Sequence, residues 1–441
     1  MAIEVISGKD AVKLLKDNKH SRYPTPQLNK ERLFPFPKPE CAPSFSIDEN
    51  SKVFTMGSCF AREVDKALVS SGFNVISRST NLSKAVERSG ADESLYNKYT
   101  IHSIVNELRW ALDPEHPYDP KRALVQISEE NWTDPQLGGS AFASSFESMC
   151  DFRESYCDSI RRAKDADVII ITLGLVEAWY DKASELYLNL APHPRALKGA
   201  PDRFEMRVLD YNEVTSELEE FYTITQRFCK PDVKILITVS PVPLLATFRD
   251  QDVLVANTYS KAVQRAAVEY FIRKHENVDY FPSFEFVSLG DPNSNWAGDY
   301  RHVSPHVVQR IMGSVMGKYT TGIDFQRNVL SSEINFLYQK EKYSEIIDLF
   351  ENDATVDLTL TATYRVGLSY KHSGQTPNAF ALFERCLQLD ESYKPALQNA
   401  ISAAAQLGFI DKFNSLLLDH AKHHPDEAEF RKTKQAQLSK S

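Results

Sequence analysis

The chain has 441 residues and a formal net charge of −9, from 51 Lys and Arg against 60 Asp and Glu. Apolar residues make up 42% and charged residues 25%, a balance typical of a folded protein, which excludes a wholly disordered chain. The acidic excess disfavours a protein whose main role is to bind nucleic acid or a membrane surface. No run approaches the ~20 apolar residues of a membrane helix, and no secretory leader pattern opens the chain. The six cysteines form no CxxC pair, so we expect a cytoplasmic protein with neither a disulfide framework nor a zinc site.

The first 44 residues are predicted to open with a short helical stretch and to continue as a proline-rich, extended arm. Six prolines between positions 21 and 45 disfavour both helix and central strand there. The core pattern begins with KVFTM, which predicts a buried strand that ends at Gly57. The next apolar residues have helical spacing up to Gly72, and FNVISR then predicts a second strand. The tripeptide GSC therefore lies at the strand-to-helix turn of a βαβ unit.

Strands and helices continue to alternate up to about residue 322. Buried strands are predicted at DADVIIITL and VKILITV, since continuous β-branched runs are typical of parallel sheets. Helices are predicted near residues 101–112, 144–165, 212–229 and 256–275. A last helix is expected to begin at Ser304 and Pro305. We therefore predict a three-layer α/β/α domain with a parallel sheet over residues 45–322.

Residues 329–441 are predicted to be all-helical. Lys340, Gly374 and Gly408 are 34 residues apart, and each is expected at a turn between two helices. This period resembles that of tetratricopeptide (TPR) repeats, which present a surface to a protein partner or to a second copy of the chain. The alternative is a helical tail that packs on the α/β domain.

Two short motifs carry the residue types of nucleophilic catalysis. Ser58 lies at the start of a helix, where unpaired backbone N–H groups can receive an oxyanion. Asp299 is three residues from His302, a spacing that allows the carboxylate to orient an imidazole general base. One motif follows the first strand and the other precedes the last helix, and ligand sites of open α/β sheets lie beyond the carboxyl ends of strands. A helix cap for Ser58 and a structural role for the Asp299–His302 pair are the alternatives.

The string Gly57-Ser58-Cys59-Phe60-Ala61 is the signature of the GSCFA family, which the chain resembles over about residues 45–320. Further stretches that resemble the family are Thr172-Leu173-Gly174 with Glu177 and Trp179, Ser240-Pro241-Val242-Pro243, Ala256-Asn257 with Tyr259-Ser260-Lys261, and Asp299 with His302. The family looks like a branch of the SGNH (GDSL-like) hydrolases. The resemblance implies a flavodoxin-like sheet and the activity of a serine esterase, a lipase or a carbohydrate acyl esterase.

The same resemblance assigns roles to individual residues. Ser58 matches the nucleophile, His302 the general base and Asp299 the partner of the base. Gly57 and Gly174 border the oxyanion site, but Val176 stands where SGNH enzymes have an oxyanion-site Asn. Asn81 is a candidate replacement donor, with a turn or helix cap as the alternative.

Other residues near these motifs have two interpretations. Glu177 and Trp179 either line the substrate pocket, with Trp179 as a surface for sugar stacking, or simply pack there. Cys59 is adjacent to Ser58, but a buried structural role is favoured over that of a nucleophile. Neither GxxxxGK[ST] nor GxGxxG occurs, and no His, Cys or carboxylate spacing indicates a metal, so we expect no cofactor and no metal.

The leading functional hypothesis is an ester hydrolase or O-acyltransferase that acts on an acylated small molecule or glycan. The rival hypothesis is a catalytically retired binding module whose TPR-like repeats recruit a protein partner, and Val176 motivates it. Self-association of a working enzyme through residues 329–441 is compatible with the first hypothesis.

Overall fold

In a computed structural model, the described residues are 2–29, 32–33, 37–48, 50–77, 93–138, 143–320, 323–352 and 357–438. The chain divides into two compact units, Met1–Thr321 and Gly322–Ser441. Within the described ranges, no helix is both long and apolar enough to cross a membrane.

The first unit alternates strands with helices. Its strands are β1 Lys52–Gly57, β2 Asn74–Val75, β3 Val125–Gln126, β4 Trp132–Thr133, β5 Ala143–Ser144, β6 Val168–Leu173, β7 Glu177–Asp181, β8 Leu186–Leu188, β9 Phe204–Val208, β10 Lys234–Val239 and β11 Val278–Tyr280. Its helices are α1 Gly8–Asp17, α2 Cys59–Ser70, α3 Ile101–Leu112, α4 Pro120–Ala123, α5 Phe146–Arg161, α6 Pro194–Gly199, α7 Tyr211–Phe228, α8 Val253–Lys274, α9 Ser283–Ser288, α10 Pro292–Asn295 and α11 Pro305–Tyr319. Short 3₁₀ turns occupy Glu93–Tyr96, Arg162–Asp165 and Pro201–Arg203.

Five parallel strands form the central sheet in the order β11–β10–β6–β1–β2. Every residue of the VIIITL run in β6 is buried, as expected for a central strand covered on both faces. The parallel sheet predicted from the β-branched runs is therefore confirmed. Strand β2 is shorter than the FNVISR segment suggested, because only two of its residues pair with β1.

Helices contact the sheet through alternate strand residues. Phe54, Ile169 and Ile235, from the three central strands, pack in one apolar cluster with side chains of α3, α5, α7 and α8. The intervening strand residues point the opposite way. Helix α2 packs against β1 and β6 and against α11.

Two small antiparallel sheets interrupt the βα alternation, in the orders β3–β4–β5 and β8–β7–β9. The sequence analysis did not predict them, because strands of two to five residues leave little periodicity to detect. The second sheet inserts residues 177–208 between β6 and α7, directly after the carboxyl end of the central strand. It therefore contributes side chains to the same edge of the sheet as Ser58.

The second unit is helical in its described residues. Its helices are α12 Ile323–Gln339, α13 Tyr343–Asn352, α14 Leu360–His372, α15 Thr376–Leu389, α16 Lys394–Leu407, α17 Ile410–His423 and α18 Ala428–Leu438. Lys340, Gly374 and Gly408 each lie at a turn between two of them, as predicted, and both glycines have positive φ. Helices α14 and α15 approach closely, because a Cβ on Gly367 would lie 2.8 Å from the Phe383 ring.

Candidate functional site

Ser58 lies at the carboxyl end of β1 and immediately before α2. It occupies the N-cap position, but its side chain bonds no helix N–H. Instead, its Oγ lies 3.1 Å from Thr172 Oγ1 on the neighbouring strand β6. The Ser58 hydroxyl therefore makes no capping bond to the helix and is held instead by a buried threonine.

Gly57 is required by this turn. Its φ is +141°, and a Cβ at this position would lie 2.3 Å from the Thr172 carbonyl oxygen. Only glycine allows such a close approach with that backbone conformation. The close contact brings the Ser58 N–H within 3.2 Å of the same carbonyl and within 3.0 Å of Thr172 Oγ1.

Asp299 and His302 are paired in a short loop before α11. His302 Nδ1 lies 2.5 Å from Asp299 Oδ2, while Asp299 Oδ1 accepts the backbone N–H groups of Arg301 and His302. These hydrogen bonds hold the pKa of Asp299 far below its usual range. The loop is closed by a bridge between Trp296 and Val303. The carboxylate therefore fixes the ring of His302, which is about half exposed.

The other ring nitrogen of His302 meets a guanidinium. Arg301 Nη1 lies 3.3 Å from His302 Nε2. An arginine can only donate, so Nε2 accepts and the proton is assigned to Nδ1, facing Asp299. This is the tautomer that a general base needs, with its basic nitrogen occupied by Arg301.

A cavity of about 290 Å³ opens beside Ser58. It is lined by Ser58, Cys59, Tyr99, Gly174, Leu175, Glu177, Trp179, Asn189, Leu190, Ala191, Ser240, Val242, Pro243, Leu244, Leu245, Ala246, Phe248 and Arg301. Thus Ser58, Gly174, Glu177 and Trp179 share one cavity with Arg301. Asp299 and His302 are not among the lining residues, and the described contacts include no hydrogen bond between Ser58 and His302.

The backbone N–H groups of Cys59 and Gly174, next to Ser58 in this cavity, have no acceptor among the described residues. Both are available to an oxyanion. The Ser58 N–H, by contrast, donates to Thr172. Val176 supplies no polar group, because its side chain is buried in the core and its N–H donates to Ser260 Oγ at 3.1 Å.

Gly174 is held from behind by α8. Its carbonyl accepts from Lys261 Nζ at 2.7 Å and from Gln264 Nε2 at 3.3 Å. Burial lowers the pKa of Lys261 to about 7, and the charge of Arg301 acts in the same direction. On the other side, a Cβ on Gly174 would lie 2.6 Å from the Tyr99 carbonyl oxygen. The position of the Gly174 N–H is therefore fixed by contacts on two sides.

Glu177 and Trp179 lie on β7, as part of the second small sheet rather than in a loop. Both carboxylate oxygens of Glu177 are occupied, by the Thr247 hydroxyl at 2.6 Å and the Phe248 N–H at 3.0 Å. The Trp179 ring packs edge-on against Phe248 at 5.1 Å, and its Nε1 has no partner in the described part of the chain. Glu177 thus anchors the 240–252 segment, and Trp179 contributes an aromatic wall with one free donor.

Sequence reasoning missed the segment that supports Gly57. The Lys98 N–H donates to the Gly57 carbonyl at 2.6 Å, and Asn189 accepts the Tyr99 N–H at 2.8 Å. The Asn189 amide also donates to Asn97, so its side chain is fully used although it lines the cavity. Isolated Asn and Lys residues produce no hydrophobic periodicity, so the sequence pattern could not reveal this arrangement.

The Lys98 side chain belongs to a fully buried cluster of charges. Its Nζ lies 2.6 Å from Glu107 Oε1, and Arg153 bonds both oxygens of Glu107 at 3.1 and 2.9 Å. Arg153 Nε also lies 3.2 Å from Asp134 Oδ2. All four side chains are at most 1% exposed. The cluster pairs two cations with two carboxylates and so fixes the 97–99 segment beside the candidate nucleophile.

Two further candidates from the sequence are Asn81 and Cys59. Asn81 lies outside the described residues. Cys59 is buried, and burial raises the pKa of its thiol, although it does line the cavity.

Three side chains of types that can bind a metal ion lie together outside the cavity. The possible ligand atoms of Asp113, Glu115 and His116 are within 4.8 Å of one another. His116 Nδ1 is already paired with Asp113 at 2.9 Å, and none of the three lines the cavity. This group therefore contributes nothing to the candidate site.

The comparisons with known proteins give one match. The model of the GSCFA family matches residues 52–314, which include β1, the Ser58 turn, the whole cavity lining and the Asp299–His302 loop. Comparison of the chain with curated proteins and with solved structures gave no match. A family model that covers more than half of the chain, together with the signature at Gly57–Ala61 in the turn it specifies, shows that the chain belongs to the GSCFA family.

Proposed function

We propose that this protein is a serine-dependent ester hydrolase or O-acyltransferase, with Ser58 as nucleophile, His302 as general base and Asp299 as the partner of the base. One observation carries the proposal. Ser58 and Arg301 line the same cavity, and Arg301 is adjacent to a histidine whose Nδ1 is held by a carboxylate at 2.5 Å. A serine, an oriented imidazole and free backbone N–H groups are the parts that acyl transfer needs.

The proposed mechanism requires two side-chain movements. Arg301 leaves His302 Nε2, and Ser58 Oγ turns from Thr172 towards that nitrogen. His302 then takes the serine proton as Oγ attacks the acyl carbonyl, and Asp299 stabilises the imidazolium. The oxygen of the tetrahedral intermediate accepts from the N–H groups of Cys59 and Gly174.

Collapse of the intermediate releases the alcohol part of the ester, which takes the proton from His302 Nε2. Water, activated by the same nitrogen, then frees the acyl group in a hydrolase. A second hydroxyl does so in a transferase. No step uses a metal or a nucleotide.

The cavity walls support an O-acylated substrate. The wall formed by Val242, Leu244 and Phe248 is apolar and suits the acyl group. The cavity, at about 290 Å³, is larger than an acetyl group. Trp179 offers aromatic surface to a glycan acceptor.

The finer fold assignments belong to the same proposal. Helix groups that contact the sheet through alternate residues support a three-layer SGNH-like domain over residues 45–322, preceded by an arm over residues 1–44. The 34-residue spacing and the tight Gly367–Phe383 contact support TPR-like repeats over residues 329–441. We propose that these repeats bind a protein partner or a second copy of the chain.

The direct test is labelling with a fluorophosphonate probe, which reports an activated serine without requiring the substrate. We expect labelling of the native chain and its loss in Ser58→Ala and His302→Ala. Ser240→Ala is the matched control for the first variant, since Ser240 is another buried serine of the cavity. His116→Ala controls for the second. Labelling that survives Ser58→Ala would contradict the proposal.

A second candidate function rests on the arrangement of Ser58. Its N–H and its Oγ are both bonded to Thr172, and His302 Nε2 is bonded to Arg301. These contacts favour a catalytically retired binding module whose helical repeats recruit a protein partner. A correctly folded native chain that is not labelled would favour this candidate, and residues 329–441 would then be used to capture the partner.

A further inference from the structure

Arg301 is an arginine without an acidic partner in the candidate cavity. No carboxylate of the described residues lies within 4 Å of its guanidinium, and its only side-chain hydrogen bond there is to His302. Its Nε is buried and has no acceptor in the described part of the chain. Because a buried donor without a partner is costly, this group is suited to a ligand that accepts from it.

The charges around Arg301 also favour an anion. Lys261 lies close enough to Arg301 for the guanidinium charge to add to the burial that lowers the pKa of Lys261, and its Nζ is bonded only to carbonyl oxygen among the described groups. The start of α2 adds the partial positive charge of its free Cys59 N–H. The two nearby carboxylates are already used, Glu177 by Thr247 and Phe248, and Asp299 by its own loop.

The position of Arg301 indicates which part of the substrate it meets. In the proposed mechanism, His302 Nε2 returns its proton to the departing alcohol oxygen. A side chain next to Nε2 therefore lies next to the alcohol part of the ester. Arg301 Nη1 adjoins Nε2 at 3.3 Å. The acyl group is directed instead to the apolar wall of residues 242–248.

We propose that the substrate is an ester whose alcohol part carries an oxyanion group, a carboxylate or a phosphate, which Arg301 binds through charge-assisted hydrogen bonds. This inference rests on the proposed function for the identity of the reacting bond. Binding of the anion draws Arg301 away from His302 Nε2, so the base becomes free when the correct alcohol arrives. A neutral ester does not draw Arg301 away, so the Arg301–His302 contact opens less often and the base is free for a smaller fraction of the time.

The experiment compares matched esters. Butyrate esters of 4-hydroxybenzoate and of its methyl ester form the carboxylate arm, and butyrate esters of glycerol 3-phosphate and of glycerol form the phosphate arm. For each pair, the ratio of kcat/KM for the anionic over the neutral ester is measured in the native chain, Arg301→Met, Arg301→Lys and the surface control Arg195→Met. Ratios are compared between variants, so that differences in intrinsic leaving-group ability cancel.

We expect Arg301→Met to lower the ratio about tenfold or more in at least one arm, since a hydrogen bond to a charged group contributes this much. Arg301→Lys should restore part of the ratio, and Arg195→Met should leave it unchanged. The arm that responds identifies the anion. Ratios within twofold of the native value for Arg301→Met in both arms would overturn the inference.

A binding measurement separates this inference from the proposed function. Calorimetric titration of Ser58→Ala with 4-butyryloxybenzoate requires no chemistry, and adding Arg301→Met should weaken binding about tenfold. Absence of fluorophosphonate labelling with Arg301-dependent binding would reject the esterase and retain the anion site. Labelling of Ser58 without Arg301-dependent binding or turnover would reject the anion site alone.

Discussion

The Lys98 backbone N–H donates to the Gly57 carbonyl oxygen at 2.6 Å, so the residue before Ser58 is tied to a segment held by buried charges. Replacing Glu107 by Gln would leave Arg153 and Lys98 without their shared carboxylate in the core. We expect Glu107→Gln to lower the free energy of unfolding by about 3–5 kcal/mol, measured by denaturant titration. Probe labelling of Ser58 should fall as well, because the 97–99 segment loses its anchor.

Glu63→Gln is the control for this prediction. Glu63 pairs with Lys66 on the surface at 3.0 Å, and its loss should cost less than about 1 kcal/mol. Burial alone would raise the pKa of Glu107, but the charges of Arg153 and Lys98 outweigh it and hold the pKa below its ordinary value. The stability that Glu107 contributes is therefore present above its unfolded pKa and lost as the pH falls through the lower folded value. Equal costs for the two Gln variants at pH 7 would show that the buried cluster does not stabilise the fold.

Gly57 and Gly72 provide a matched pair, since both have positive φ but only Gly57 faces a neighbouring backbone. A Cβ would lie 2.3 Å from the Thr172 carbonyl at Gly57 and more than 4 Å from any atom at Gly72. We expect Gly72→Ala to cost about 1 kcal/mol and Gly57→Ala more than about 3 kcal/mol, from thermal or denaturant unfolding. Similar losses of unfolding free energy in the two variants would mean that β1 and β6 can separate enough to admit a Cβ at Gly57.

The Asp299 carboxylate should control the tautomer of His302. Asp299→Asn places an amide against Nδ1 and favours the tautomer whose proton is on Nε2, which cannot accept a proton from Ser58. We expect the rate of fluorophosphonate labelling to fall ~10³-fold or more with the fold intact. Asp232→Asn, at an exposed aspartate distant in sequence from the loop, serves as the control. A rate that falls less than tenfold would exclude Asp299 as the partner of the base.

Lys261 should make stability depend on pH in an unusual direction. Burial lowers its folded pKa to about 7, whereas the unfolded chain keeps the proton up to its ordinary pKa near 10.5. The unfolded state binds more protons between these values, so the contribution of Lys261 to stability rises with pH across that window. Between pH 7 and pH 9 the free energy of unfolding should increase about 2 kcal/mol more in the native chain than in Lys261→Met. The surface variant Lys198→Met should show the same pH dependence as the native chain. Parallel plots of unfolding free energy against pH for the native chain and Lys261→Met would contradict the prediction.

The central sheet could be predicted from the sequence because its strands are buried on both faces. VIIITL and KILITV are nearly continuous β-branched and apolar runs. Such a run can be recognised in the sequence without knowing which strands pair with it. The small antiparallel sheets could not be predicted, since β3, β4 and β5 have two residues each and are defined by their pairing with one another rather than by a residue pattern.

Part of the candidate site could likewise be predicted from the sequence, and part could not. Ser58 could be located because a strand, a glycine and a helix adjoin it in sequence. The Arg301–His302 contact and the bonds of Ser58 to Thr172 could not, because they depend on which rotamers the folded chain allows. Lys98, Glu107, Asp134 and Arg153 gave no signal either. Glu107 and Arg153 lie in mid-helix, where charged residues ordinarily face solvent, and Lys98 and Asp134 lie outside the helices. Only the tertiary structure brings these four together.

The 240–252 segment has a consequence for how specificity can diverge. Six of the cavity-lining residues, Val242 to Ala246 and Phe248, are contiguous or nearly so. The segment is attached at one end to β10 and at the other to the Asp252 cap of α8. Between these ends, Glu177 accepts hydrogen bonds from Thr247 and Phe248. The segment can therefore change as one unit, altering the apolar wall of the cavity while Ser58, Gly174 and the Asp299–His302 loop stay untouched.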